Sequence, residues 1–195
     1  MPPDCGPQRG SDESWAKLEH RDRESALFVD RSESGVLLCR GCGALRHCRL
    51  GIQRETLNAD GSVHSEVTCP PDHEGGPMVA HGGWTASVMD EMSGHALLLR
   101  DEFAVTGSLT VNFRKPVPLA HALLGRAWIT ARQGRRVHVE AELRLADAGG
   151  DVVATSAAVM IRRPGDHFDR HQHWLASRSA STTTPPTDGA GDVTR

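Results

Sequence analysis

One stretch, residues 73–99, limits the possible folds of this chain more than any other. It reads HEGGPMVAHGGWTASVMDEMSGHALLL, and from Trp84 onward apolar or small side chains cover almost every direction of a helical wheel. A helix that is apolar all round is buried on all sides. Gly82 and Gly83 are poor residues for a helix interior but suit its first turn, and Arg100 suits its negative end. We therefore expect one central helix, from the glycines to about Leu99, inside a sheet.

Two carboxylates, Asp90 and Glu91, interrupt this apolar helix. Adjacent helix positions point about 100° apart, so only one carboxylate can share the face of the small residues Gly83, Ser87 and Gly94. Asp90 does. It is either an acid paired by local hydrogen bonds, or a nucleophile or general base beside space cleared for a substrate.

The segments on both sides of the helix have the period-two pattern of strands. Two short runs, 50–57 and 62–68, are joined by the turn sequence Asn58-Ala59-Asp60-Gly61. Four further strands are predicted over 105–113, 122–131, 136–145 and 152–162, of which 136–145 alternates most regularly. One long helix within an antiparallel sheet is an α+β layout.

Length and composition indicate one ordinary globular domain, with 195 residues, 38% hydrophobic and 24% charged. A net charge of −3 implies no strong attraction to nucleic acid or to a membrane surface. Because no apolar run reaches the ~18 residues of a membrane span, and the first residues lack a signal-peptide core, we expect a cytoplasmic protein. Five cysteines, an odd number, favour reduced thiols.

Both ends of the sequence are polar. We predict a polar N-terminal arm over 1–32 that could contain one helix, a folded domain over 33–163, and a flexible C-terminal tail over 164–195. The composition of the tail cannot bury enough apolar surface to order itself.

Two groups of residues are of metal-binding type. Cys39, Cys42 and Cys48, with His47 nearby, resemble a zinc knuckle, but a fourth ligand at characteristic spacing is missing. The other group lies in the solvated tail and consists of Asp166, His167, Asp169, His171 and His173. We predict no bound metal at either place.

A family resemblance extends over about residues 36–162. It rests on three motifs that occur in order: HEGGPMVAHGGWTASVMDEMSGHA, VTGSLTVNFRKPVPL and GRRVHVEAEL. The chain resembles the hotdog-fold acyl-CoA thioesterases of the PaaI-like group, within the 4-hydroxybenzoyl-CoA thioesterase superfamily. The resemblance implies a curved antiparallel sheet of about five to six strands around one long central helix. It also implies a homodimer or a dimer of dimers, with each site shared between two copies.

The resemblance also assigns residues. The family places a catalytic aspartate nine positions after the histidine, which matches His81, Gly82 and Asp90, and a Ser or Thr that positions the water or carboxylate, here Thr106. Many members have Asn or Gln six positions before the histidine. Here that position is Gly75, so the second oxyanion donor of those members is absent.

Spacing along the helix gives an independent argument for two copies. Gly82 and Asp90 are eight residues apart, which on one helix is roughly 12 Å. An oxyanion donor and a nucleophile must both lie ~3 Å from the reacting group. A site that uses both residues therefore needs a second chain.

The predicted reaction is hydrolysis of an acyl-CoA or acyl-carrier-protein thioester, without a cofactor other than the coenzyme A of the substrate. The Gly82 N–H polarises the carbonyl and Asp90 acts as nucleophile or general base, while His81 caps the Gly82 turn or transfers a proton. The predicted substrate-binding residues are His73, Gly83, Ser87, Arg114, Lys115, Arg135 and Arg136, and Arg132 is a further candidate cation. For the cations, the alternative is a charged, solvated strand edge.

Two alternatives to hydrolysis remain at this level. Some hotdog hydratases use an Asp and a His together, and His95 follows Asp90 by five residues, although this spacing turns the two side chains about 140° apart. The other alternative is a non-catalytic acyl-binding protein. The apolar helix suggests an acyl pocket but does not specify the acyl chain.

Overall fold

A six-stranded antiparallel sheet and the helix that lies against it form the centre of this computed structural model. The structure describes residues 28–147, 149–164 and 166–181. The strands are β1 (Phe28–Arg31), β2 (Leu37–Cys39), β3 (Ile52–Leu57), β4 (Val63–Thr68), β5 (Glu74–Gly76), β6 (Val79–Ala80), β7 (Ala104–Phe113), β8 (Ala122–Gln133), β9 (Arg136–Leu145) and β10 (Val152–Arg162). The helices are α1 (Arg40–Gly43), α2 (Gly82–Leu98) and α3 (His167–Ser181), and a 3₁₀ turn covers Pro71–His73.

The large sheet has the strand order β3-β4-β8-β9-β10-β7, with every neighbouring pair antiparallel. The predicted turn joins β3 and β4: Asp60 Oδ1 accepts the N–H of Ser62 at 2.9 Å, and Gly61 has a φ of 79°. After α2 the chain enters β7 at the edge of the sheet opposite β3. The predicted α+β layout, with six strands and one long helix, is confirmed.

The core lies between α2 and the face of the sheet that it covers. Strand β9 shows the predicted alternation, with Val137, Val139, Ala141 and Leu143 buried. Met89, Met92 and Leu97 of the helix are fully buried against such residues. The apolar faces of the helix and the sheet thus pack against each other and form one core.

Helix α2 begins and ends where the sequence predicts. His81 is its N-cap residue, and the Arg100 guanidinium donates to the carbonyl of Ala96 in the last turn and to that of Gly61. However, the prediction of burial on all sides is wrong. Gly83 and Ser87 are exposed and Asp90 is half-buried, because the sheet of one chain covers only one side of the helix.

The predicted boundaries at both ends need correction. The arm was expected to reach residue 32, but β1 already pairs with β2 in an antiparallel hairpin, and the helix expected in the arm lies outside the described residues. In the predicted tail the structure has α3, whose Phe168 ring packs 5.8 Å from that of Phe103. This aromatic contact supplies a local apolar partner that the overall composition of the tail does not indicate. Residues 182–195 lie outside the described part.

Within the described residues, the structure contains no helix with both the length and the apolar character needed to cross a membrane.

Candidate active site

Asp90 and Thr106 meet on the side of α2 that the sheet leaves uncovered. The Thr106 hydroxyl, on β7, donates a hydrogen bond of 2.7 Å to Asp90 Oδ1. Thr106 is exposed and Asp90 is half-buried, so the carboxylate is oriented by a partner without being sealed in the core. An oriented carboxylate with an open face can act as a nucleophile or a general base.

A β-bulge in β7 aims Thr106 at the helix. Opposite β10, Val159 pairs with Ser108 and Met160 with Thr106, so Gly107 is the extra residue between them. A Cβ at position 107 would lie 2.8 Å from Ile161 Cγ1 and 3.1 Å from the Val159 carbonyl oxygen. Only glycine fits this close approach, and the bulge changes which face of the strand Thr106 presents.

The first turn of α2 forms the second part of the site. The His81 Nδ1 accepts the N–H of Gly83 at 2.9 Å, and the Ser87 hydroxyl donates to the Gly83 carbonyl at 2.8 Å. The predicted capping role of His81 is therefore seen in the structure. His81 engages the N–H of Gly83, not that of Gly82, and both glycines are exposed.

The loop before the helix is held closely against His81. The His81 N–H donates to the carbonyl of His73 at 2.8 Å, and a Cβ at Gly75 would lie 2.5 Å from His81 Cα. The chain therefore has no room for the Asn or Gln side chain that the resemblance leads one to look for at position 75. His73 contributes a backbone contact that shapes this loop.

A cleft opens at the N-terminus of α2. Gly82, Thr85 and Phe113 line it together with two of the predicted cations, Arg114 and Lys115. Lys115 Nζ is also 2.6 Å from Asp151 Oδ2, in an exposed ion pair. Asp90 does not line this cleft, so one chain holds Gly82, the predicted oxyanion donor, and the Asp90 carboxylate at separate places, as the spacing on the helix requires.

A basic groove lies beyond the bulge. Its polar lining comes from Ser108, Gln133, Arg135, Arg136 and Arg163. Arg135 and Arg136 were predicted for substrate binding, whereas Arg163 was not. Arg163 follows the last strand, and only the pairing of β9 with β10 brings it close to Arg135 and Arg136. Three guanidinium groups around one groove suit an anionic ligand such as a phosphate.

Arg132, which the sequence offered as a further candidate cation, forms an ion pair within the chain. Its two terminal nitrogens each donate to a carboxylate oxygen of Glu102 at 2.7 Å. This bidentate pair raises the pKa of Arg132 and occupies its donors. Glu102 follows α2 directly, and the sequence gives no sign that it reaches β8.

The sequence analysis did not predict a buried polar network that lies on the other side of α2. His95 Nδ1 is 2.7 Å from Glu55 Oε2 of β3, and His95 Nε2 is 3.3 Å from Glu91 Oε1. Burial alone would lower the pKa of His95, but the hydrogen bonds and charges of the two glutamates outweigh it and raise the pKa to about 9. The spacing of Glu91 and His95, four positions on one helix, is the only local signal for it.

This network bears on the hydratase alternative. His95 is fully buried and turned toward Glu55, whereas Asp90 lies on the open face with Thr106. The Asp-His pair that such a reaction would use is not formed.

Among the residues that the structure describes, no three or more His, Cys, Asp or Glu side chains are arranged to hold a metal ion. Cys39, Cys42, Cys48 and Cys69 are free thiols there. This finding covers both groups of metal-binding type, the cysteine cluster near His47 and the Asp and His residues of 166–173.

Comparisons with known proteins agree with the fold described above. The model of the Thioesterase superfamily matches residues 78–151, which run from before α2 through β9. A solved thioesterase superfamily protein is 25% identical, with a TM-score of 0.51, over 55% of this chain and 54% of its own. The chain thus spans about half the length of that protein.

Two further solved structures share the fold at lower identity. A hypothetical thioesterase protein from Streptococcus pneumoniae TIGR4, solved with coenzyme A, is 17% identical over 56% of this chain and 86% of its own, with a TM-score of 0.51. An uncharacterized protein from Pyrococcus horikoshii is 23% identical over 57% of this chain and 82% of its own, with a TM-score of 0.50. The chain therefore has the hotdog fold, and its residues 78–151 are similar to the Thioesterase superfamily.

Proposed function

We propose that this protein hydrolyses the thioester of an acyl-coenzyme A, or of an acyl carrier protein, to the free acid and the thiol. The observation that carries the proposal is the 2.7 Å hydrogen bond from Thr106 to Asp90 on the uncovered face of α2. We also propose that two copies of the chain complete each site, in a homodimer or a dimer of dimers, and that the enzyme acts in the cytoplasm.

In this mechanism the carboxylate of Asp90 either attacks the thioester carbonyl or removes a proton from the attacking water. Thr106 holds one carboxylate oxygen, so the other is presented to the substrate in a defined direction. The thiolate of coenzyme A leaves when the tetrahedral intermediate collapses. If Asp90 is the nucleophile, water then hydrolyses the acyl-enzyme anhydride.

The developing oxyanion needs a donor that Asp90 cannot provide. We assign this role to the Gly82 N–H of the partner subunit, at the positive end of α2. In each chain Gly82 lines a cleft that also contains Phe113, which suits an acyl chain, and Asp90 of the same chain does not line this cleft. A face-to-face arrangement of two helices would bring the two groups together.

The coenzyme requires cations for its phosphates. Arg114 and Lys115 border the cleft at the N-terminus of α2. The basic groove is bordered by Arg135, Arg136 and Arg163. The Streptococcus pneumoniae protein with this fold was solved with coenzyme A. This supports the same class of ligand here.

Two solved variants of the Streptococcus pneumoniae protein add a further correspondence. In one an aspartate, and in the other a threonine, is replaced by alanine, and these two positions are 16 residues apart. Asp90 and Thr106 are separated by the same 16 residues. This equal spacing supports the choice of the pair.

The test of the proposal is a thiol-release assay with the Asp90→Asn variant. The amide keeps the shape of the side chain but is neither nucleophile nor base, so hydrolysis of the best substrate should fall about 10²–10⁴-fold. A prior screen over short, long and aromatic acyl-CoAs and carrier-protein thioesters identifies that substrate.

The matched control is Asp101→Asn. Asp101 is exposed, lies outside the site and has a φ of 59°, which asparagine tolerates. Its hydrolysis rate should equal that of the wild type. Near-normal turnover by Asp90→Asn, with normal circular dichroism, would refute the assigned role.

A further inference from the structure

Two thiols that the proposed hydrolysis does not use lie next to each other at α1. Cys39 ends β2 and is the N-cap residue of α1, and Cys42 is the third residue of that helical turn. The Cys39 side chain makes no capping hydrogen bond that would hold it elsewhere, and it lies close enough to Cys42 to raise the pKa of the Cys42 thiol. The motif Cys-x-x-Cys thus forms a close pair of thiols.

The backbone geometry is compatible with a disulfide after a small movement. Residues three apart on a helical turn have Cβ atoms about 5–6 Å apart, and a disulfide requires about 3.5–4.5 Å. Cys39 has extended dihedrals, φ −66° and ψ 164°, and lies outside the helical turn itself. A change confined to this residue could therefore close the gap.

Arg49 places one hydrogen-bond donor at the second thiol and its guanidinium beside the same segment. Its backbone N–H donates to Cys42 Sγ at 3.4 Å. A Cβ placed at Gly41, between the two cysteines, would lie 3.1 Å from Arg49 Nη2, so the guanidinium packs directly on this segment. Burial raises the pKa of Cys42, and the Arg49 N–H and charge act in the opposite direction. The pKa of Cys42 is raised overall, and Arg49 offsets part of the cost of forming the thiolate that thiol exchange requires.

The two thiols differ in access. Cys39 is half-buried, whereas Cys42 is only 3% exposed and belongs to the core. This is the arrangement of an attacking thiol that reagents can reach and a resolving thiol behind it. Cys69, by contrast, is fully buried with its Sγ near the carbonyl of Pro70.

We propose that Cys39 and Cys42 form a redox-active dithiol that reacts reversibly with low-molecular-weight disulfides such as oxidised glutathione. The Cys39 thiolate attacks one glutathione sulfur, which breaks the glutathione disulfide, forms a mixed disulfide and releases the first glutathione. Cys42 then attacks Cys39 Sγ and releases the second glutathione. Two protein thiols are oxidised to one disulfide, the glutathione disulfide is reduced to two thiols, and the two protons end on glutathione.

The experiment treats the folded full chain with excess oxidised glutathione, blocks remaining thiols and digests with trypsin. Cleavage after arginine separates the three cysteines of this region, because 32–40 holds Cys39, 41–46 holds Cys42 and 47–49 holds Cys48. We expect 32–40 to be recovered linked to 41–46, with the intact mass reduced by two hydrogen atoms. Dithiothreitol should reverse both changes.

Variants give the control. Cys39→Ser, at the more accessible position, should abolish the link without loss of fold, and Cys69→Ser should leave it unchanged. Absence of the 32–40 to 41–46 link, a link from 41–46 to 47–49 instead, or only disulfides between chains would overturn the proposal. Circular dichroism before and after oxidation verifies that the reacting protein is folded.

Discussion

At the scale of single residues, the proposed site rests on one short hydrogen bond. Thr106 donates to Asp90 Oδ1, and its side chain also contacts Met160 Sδ at 3.8 Å, so the hydroxyl has a defined position. Asp90, His81 and Gly82 were all predicted as site residues because their spacing matches the family pattern. The sequence could not show that Arg132 is committed to Glu102, because that pair depends on how β8 passes the end of α2.

The contribution of Thr106 can be measured with a pair of substitutions. Thr106→Ala removes the hydrogen bond and should lower kcat roughly tenfold, which corresponds to the ~1.5 kcal/mol of a hydrogen bond to a charged group. Thr106→Ser keeps the hydroxyl and should retain most of the activity. Equal kcat values for the two variants in the thiol-release assay would show that the hydroxyl plays no part.

At the scale of elements, the bulge in β7 is where sequence reasoning fails in detail. The alternation over 105–113 correctly predicts a half-buried strand, and it places Gly107 with the apolar residues. In the structure, the extra residue shifts by one position which side chains face the core. Ala104 before the bulge and Leu109 and Val111 after it all pack on the core. A bulge depends on pairing with β10, which one strand's pattern does not contain.

We expect Gly107→Ala to disturb this element and the site together. The added Cβ would press on Ile161 and on the Val159 carbonyl, at a cost of about 1–3 kcal/mol in the free energy of unfolding. Because Thr106 is adjacent, kcat should also fall. Gly76→Ala is the control, since a Cβ there meets nothing within 4 Å. Unchanged thermal stability and activity in Gly107→Ala would mean that the bulge does not set the position of Thr106.

The contact between α2 and β3 should make the stability depend on pH. The folded-state pKa of His95, about 9, is above its ordinary value of 6.5. Its contribution to stability is therefore fully present below pH 6.5 and is lost as the pH rises through about 9. Urea unfolding across this range should show the free energy of unfolding decrease with rising pH.

Glu55→Gln tests the origin of this dependence. Its side chain is only 1% exposed, and breaking a buried pair costs about 3–5 kcal/mol, so the variant should be less stable at pH 7 with a flatter decrease above it. Glu66→Gln on the neighbouring strand removes only the exposed pair with Arg54 and should change stability by less than about 1 kcal/mol. Parallel pH curves for wild type and Glu55→Gln would contradict this assignment.

At the scale of the whole molecule, one chain leaves a face incomplete. The uncovered side of α2 holds Gly83, Ser87 and Asp90, and near the helix N-terminus Phe113 and Met78 are 59% and 69% exposed. The sequence predicted the sheet and the helix, because their patterns are local. It could not show which side of an all-apolar helix the sheet leaves open, since that depends on the order of the strands. A second copy is the partner that we propose for this face and for the proposed shared site.

Complementation between two inactive variants tests the shared site most directly. Asp90→Asn removes the carboxylate. Gly82→Pro removes the N–H donor. We expect this variant to fold, because proline suits the first position of a helix. His81 has φ −62° and ψ 139°, which is the extended backbone that a residue before proline adopts. Each variant alone should be inactive, because every site then lacks one of the two groups.

When the two chains are refolded together, half of the pairs are mixed, and each mixed pair has one site with an intact Asp90 and an intact Gly82. We predict that the mixture recovers about a quarter of the wild-type thiol-release rate. If Asp90 and Gly82 of the same chain formed the site, no pairing could restore it. A mixture as inactive as its components, with mixed pairs verified by mass, would contradict the account.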